Sequence, residues 1–115
     1  MNTTYNALFS QIQRQAKQDE HPVWPADAVR GAIIDALREL AASHPDARMD
    51  KRGRLRSAPA EWPEDPSENL PIDNYYTPAA AALALAKLHL RDGQDVKDES
   101  AGAFWLGRYK ELAGG

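Results

Sequence analysis

The sequence predicts an all-α protein, a small four-helix bundle with a long irregular, proline-rich excursion between helices two and three, at about residues 46–70. Four stretches of the 115-residue chain repeat apolar residues at steps of three and four, which is the spacing of an amphipathic helix. Residues 46–70 lack this spacing and contain Pro59, Pro63 and Pro66, which interrupt helices. The length fits a single helical domain over residues 1–115.

Residues 24–45 carry the clearest helical pattern, and we expect the rest of the chain to pack on this helix. Pro25 suits a first helical turn, where its missing N–H is not needed. His44 precedes Pro45 and is disfavoured in helical conformation, so the helix should end near Ser43. One face of this helix carries the apolar residues Val29, Ile33, Ala36, Leu37 and Leu40.

The first and third helices show the same spacing together with residues typical of helix ends. Asn2 or Thr3 can cap a first helix that runs to about Lys17. Thr77-Pro78 predicts the cap and first turn of the third helix, and Gly93 predicts its end. An alanine run in the third helix should let its neighbours approach closely.

A fourth helix follows the acidic residues within 95–100, whose charge is favourable at the start of a helix. It should end near Gly114. Gly107 lies inside it and costs about 1 kcal/mol relative to alanine, so we expect a bulky neighbour to lie over it.

Composition excludes several classes of site. The chain has no cysteine, so disulfides and thiolate metal sites are excluded. His21, His44 and His89 share no ligand spacing, and there is no nucleophile or phosphate-binding motif. We therefore expect no enzymatic activity, no cofactor and no metal. We also expect neither a signal peptide nor a membrane span, and thus a protein made in a cytoplasm.

The excursion separates charges of opposite sign. Residues 48–56 hold five of the 14 basic residues, and residues 61–73 hold five acids and no base. As a nucleic-acid site the basic block would neutralise phosphates, but it lacks a recognition motif and interleaved aromatic residues. A solvated loop or an ion-paired contact with a partner is the better interpretation. The basic candidates for a partner or channel contact are Arg48, Lys51, Arg52, Arg54 and Arg56.

Trp62 is the remaining candidate contact residue. It lies between prolines and acids in the excursion, where its own chain is expected to offer little cover. Because tryptophans often anchor protein interfaces, we predict that a neighbouring chain covers Trp62.

The order of features resembles the head–tail connector (adaptor) proteins of tailed bacteriophages and phage-like gene transfer agents. The resemblance covers nearly the whole chain, although the excursion is richer in proline and poorer in strand-like residues. A hairpin near residues 51–54 stays open. The motifs, in order, are Val23-Trp24-Pro25, Ala32-Ile33-Ile34-Asp35-Ala36-Leu37, His44-Pro45-Asp46-Ala47-Arg48, Leu70-Pro71-Ile72-Asp73-Asn74-Tyr75-Tyr76, Asp92-Gly93-Gln94-Asp95, Ala101-Gly102-Ala103-Phe104-Trp105 and Gly114.

The resemblance implies a non-enzymatic structural virion protein. It would form a homo-oligomeric ring, typically of twelve copies, docked beneath the portal protein in the neck of the particle. The ring would extend the DNA channel, contact genomic DNA only non-specifically, and present a surface to a tail or neck protein. Assembly would take place in the host cytoplasm.

Two alternatives stay open at this point. One is a small nucleic-acid-binding regulatory protein that uses helices two and three with the basic loop. The excess of 17 acidic over 14 basic residues and the lack of base-reading residues on a helix argue against it. The other is an accessory subunit that controls an enzyme.

Overall fold

The computed structural model describes residues 3–19, 24–49, 52–54, 56, 59–91 and 96–114, except for the side chains of residues 96–98. These residues form four α-helices and two 3₁₀ helices, and no strand occurs among them. The all-α prediction is therefore confirmed. The elements are α1 (Tyr5–Gln18), α2 (Ala26–Ser43), η1 (Pro45–Arg48), η2 (Asn74–Tyr76), α3 (Thr77–Arg91) and α4 (Val96–Leu112).

The predicted ends of α2 and the predicted start of α3 are observed, whereas Gly93, the predicted end of α3, lies outside the described residues. Helix α2 begins directly after Pro25 and ends before His44, whose backbone N–H still donates to the Leu40 carbonyl at 2.8 Å. Helix α3 begins at Thr77, with Pro78 in its first turn. The cap of α1 is Thr4, and not Asn2 or Thr3 as predicted: its hydroxyl oxygen accepts a hydrogen bond from the backbone N–H of Ala7 at 3.1 Å. The ends of α2 and the start of α3 depend on short-range chemistry, which is why the sequence predicts them.

Helix α3, and not α2 as expected, is the helix on which the others pack. It contacts α1, α2, α4 and η2, and ten of its 15 residues are buried. Small side chains make this possible, because an alanine-rich helix can be approached closely from several sides. The buried alanines of this helix are Ala79, Ala80, Ala81, Ala82, Ala84 and Ala86.

Helix α4 packs on α3 at Gly102, which is not the glycine that the sequence singled out. A Cβ atom at Gly102 would lie 2.7 Å from Cγ of Leu90. The expected bulky neighbour over Gly107 is wrong, because no described atom lies within 4 Å of a Cβ placed there, apart from its chain neighbours and the backbone of α4 itself. Which glycine faces α3 depends on the rotation of α4 about its axis, and the weakly patterned sequence of α4 does not determine that rotation.

The extent of the irregular excursion at 46–70 stays a prediction. Its first residues belong to η1, and residues 50, 51, 55, 57 and 58 lie outside the described residues. The described residues from 59 to 73 form no helix, and Asn69 makes an isolated antiparallel bridge with Thr4. The hairpin near residues 51–54 also stays open, since Lys51 is outside the described part. Among the described helices, none has both the length and the apolar character that crossing a membrane requires.

Candidate interaction surface

The acidic segment, residues 61–68, is held against the start of α1 by backbone hydrogen bonds. The N–H of Tyr5 donates to the Glu68 carbonyl at 3.1 Å, and the N–H of Asn6 donates to the Pro66 carbonyl at 2.9 Å. The first N–H groups of an α-helix have no partner within the helix, so the segment satisfies donors that would otherwise need water. Its course is therefore set by main-chain bonds to α1.

The carboxylates of the acidic segment are exposed, and one of them has a local role. Oδ1 of Asp65 accepts a hydrogen bond from the Ser67 hydroxyl at 2.5 Å and another from the Ser67 backbone N–H at 3.1 Å. These two bonds lower the pKa of Asp65, because both favour its charged form. Glu61, Glu64 and Glu68 are the exposed glutamates of the same segment.

Trp62 is half-buried against its own chain, which corrects the expectation that this chain offers it little cover. Its ring packs edge-on against Tyr5 at 5.3 Å and Phe9 at 6.1 Å between ring centroids. The guanidinium carbon of Arg30 in α2 lies 5.9 Å from the centroid of the Trp62 ring, within the range of a cation–π contact. Trp62 thus fastens the acidic segment to α1 and α2. A contact between Trp62 and another chain stays a prediction.

The basic residues of the candidate surface fall into two groups. Arg52 and Arg54 are exposed, whereas Arg48 and Arg56 are half-buried. The backbone N–H of Arg56 donates to the Arg48 carbonyl at 2.8 Å, so this bond brings the two ends of the basic block together. Lys51 lies outside the described residues.

Helix η1, which contains Arg48, is fastened to the start of α3. The Tyr76 hydroxyl donates a hydrogen bond to Oδ2 of Asp46 at 2.5 Å, and the N–H of Asp73 donates to the Ala47 carbonyl at 2.7 Å. The bond to the Asp46 carboxylate and burial raise the pKa of Tyr76 to about 12. The sequence signals were the proline–aspartate turn and the paired tyrosines, but neither shows that the two meet.

Two aromatic residues are exposed. Tyr75 in η2 has 68% of its surface exposed. Phe104 in α4 is 63% exposed and packs edge-on against Trp105 at 5.1 Å. In each case the following residue, Tyr76 or Trp105, is the more buried of the two.

The described residues bring together no group of three or more histidine, aspartate or glutamate side chains that could hold a metal ion. Comparisons with protein-family models, with curated proteins and with solved structures find no match to this chain.

Proposed function

We propose that this chain is a structural virion protein, a head–tail connector (adaptor) without enzymatic activity. In this proposal it forms a ring beneath the portal protein, with the twelve copies typical of the family that its sequence resembles. The ring extends the DNA channel and presents a surface to a tail or neck protein. Its place in the particle is the neck.

One observation carries the proposal: the chain between α2 and α3 presents exposed charges of both signs. Exposed Arg52 and Arg54 precede the acidic segment, which is itself fixed to α1 by backbone hydrogen bonds. A ring requires a head-to-tail contact, in which two different surfaces of identical chains meet and the rotation closes. Two surfaces of opposite charge on one chain meet this requirement, because one copy can offer its acids to the basic residues of the next.

Sedimentation velocity and electron microscopy of the purified full chain test the proposal. We expect rings, formed by the chain alone or after addition of the portal protein encoded by the same genome. A chain that stays monomeric under both conditions contradicts the proposal.

A pair of charge-reversed variants makes the test specific. Arg52→Glu combined with Arg54→Glu should weaken ring formation, because like charges would then face each other across the contact. Arg14→Glu combined with Arg38→Glu changes the net charge equally on exposed helix positions and should leave the rings intact.

A gel-shift series across salt concentrations distinguishes the nucleic-acid-binding regulator. Weak, sequence-independent binding is expected of a channel wall. Tight binding with a steep loss of affinity at rising salt would favour the regulator instead.

A further inference from the structure

The ends of the basic block contain buried donors without an acceptor. Nε of Arg48 and Nη1 of Arg56 are buried from solvent, and neither has a hydrogen-bond partner in the described part of the chain. Buried polar groups in native proteins are nearly always hydrogen-bonded, and an unpaired charged donor is especially costly. Two such donors on neighbouring arginines therefore indicate a missing acceptor.

Both arginines lie at one place in the fold. The backbone bond from Arg56 to the Arg48 carbonyl joins them, and η1 is in turn fastened to the start of α3 by the bond between Tyr76 and Asp46. Both residues are half-buried, so part of each stays exposed at the surface although Nε of Arg48 and Nη1 of Arg56 are themselves buried. Neither arginine takes part in the ion pairs found among the described residues, which include Arg30–Asp27, Lys87–Glu39 and Arg108–Glu111.

We propose that Arg48 and Arg56 form a binding site for a carboxylate supplied by the acidic segment of a neighbouring copy of this chain. Guanidinium groups present planar, paired donors that match an oxyanion, and carboxylates are their commonest partners in proteins. The proposal rests on the proposed function, since it names the contact that would close the ring.

The acidic segment suits this role better than a DNA phosphate does. Glu61, Glu64 and Glu68 are exposed, and their segment is held on α1 by the carbonyls of Pro66 and Glu68 and by the ring of Trp62, so little order would be lost on binding. Asp65 is occupied by its bonds to Ser67 and is not counted among the candidates. A net charge of -3 opposes stable binding of a polyanion, whereas it does not oppose pairing of two oppositely charged patches.

A complementation experiment with two full-length variants tests the site. The first variant carries Arg48→Glu and Arg56→Glu, and the second carries Glu61→Arg, Glu64→Arg and Glu68→Arg. Each variant alone places like charges at every contact, so we expect loss of ring formation in sedimentation velocity and electron microscopy. An equal mixture restores opposite charges at every contact if the two variants alternate, and we expect rings to return.

Circular dichroism shows whether each variant is folded. If the first one does not fold, Arg48→Gln combined with Arg56→Gln replaces it, with the expectation that rings weaken and that Arg14→Gln combined with Arg38→Gln leaves them intact.

The outcomes separate this inference from the proposed function. Wild-type rings together with unimpaired rings of the folded arginine variants overturn the inference and leave the proposed function standing. A mixture that forms no rings while the wild type does also overturns it, because the acceptor then lies outside the acidic segment. If the arginine substitutions abolish DNA binding in the gel shift and leave ring formation intact, the ligand is phosphate and the inference is wrong. A wild-type chain that forms no ring with or without the portal protein removes both proposals.

Discussion

The hydroxyl of Tyr76 and the carboxylate of Asp46 form a hydrogen bond of 2.5 Å between residues 30 positions apart in the chain. Asp46 lies in η1, directly after α2, and Tyr76 immediately precedes α3. The bond therefore joins the end of one core helix to the start of another, and all six candidate contact residues lie in the chain between its two partners. The position of Arg48 depends on this bond, because Arg48 ends the same 3₁₀ helix.

Replacement of Tyr76 by phenylalanine should destabilise the fold in a pH-dependent way. The folded-state pKa of Tyr76 is raised from 10.0 to about 12, so its contribution is fully present below pH 10 and is lost as the pH rises toward 12. Below pH 10 we expect Tyr76→Phe to lower the free energy of unfolding by about 1 kcal/mol, the usual contribution of one hydrogen bond. Urea unfolding at several pH values measures the difference from wild type.

Tyr75→Phe is the matched control for this measurement. Tyr75 is the neighbouring residue and is exposed, so the loss of its hydroxyl should leave stability nearly unchanged. A difference between Tyr76→Phe and wild type that stays constant from pH 10 to pH 12 would contradict the assignment of the bond as the cause.

Alanine at the two glycines of α4 should affect stability unequally. Gly107→Ala should raise the free energy of unfolding by about 0.5–1 kcal/mol, because alanine favours helix and nothing lies near the new methyl group. Gly102→Ala gains the same propensity but places its methyl group 2.7 Å from Cγ of Leu90, so that part of α3 or Leu90 must move. Thermal or urea unfolding of the two variants compares them directly.

We expect Gly102→Ala to be less stable than Gly107→Ala. Equal increases in the free energy of unfolding would show that the contact between α3 and α4 adapts to the added methyl group without loss of stability. Gly102 would then not be required for the close approach of the two helices.

The parts of the fold that could be predicted from the sequence are those that depend on neighbouring residues. Pro25, His44 before Pro45, and Thr77 before Pro78 mark helix ends through short-range sterics and capping, and the helices begin and end there. The choice of α3 as the central helix could not be predicted in the same way. Burial of its alanines depends on which helices pack against it, and alanine alone is compatible with either a buried or an exposed face.

In the candidate surface, too, the sequence predicts some features and not others. The separation of charge between residues 48–56 and 61–73 is visible in the sequence, and so is the isolation of Trp62 among prolines and acids. The anchoring of the acidic segment to α1 is not visible in the sequence, because it uses the backbone carbonyls of Pro66 and Glu68, and every residue type has a backbone carbonyl. The burial of the Arg48 and Arg56 donors likewise arises from folding, and the sequence shows only that both residues are positively charged.

Replacement of Trp62 by alanine should have two separable effects. The ring packs against Tyr5 and Phe9, so its loss should lower the free energy of unfolding of the chain by about 2 kcal/mol, less than for a fully buried tryptophan. Its loss should also loosen the part of the acidic segment around residue 62, while the backbone bonds of Pro66 and Glu68 still hold the rest on α1, and should thereby weaken ring assembly. Phe104→Ala removes a mostly exposed aromatic ring and should leave stability nearly unchanged, which makes it the control for the first effect.

Circular dichroism, urea unfolding and sedimentation velocity measure the two effects of Trp62→Ala. If Trp62→Ala leaves unfolding unchanged and abolishes rings, the neighbouring chain provides the main contact of Trp62; if it unfolds the chain entirely, Trp62 belongs to the intrachain core and its role in assembly is indirect.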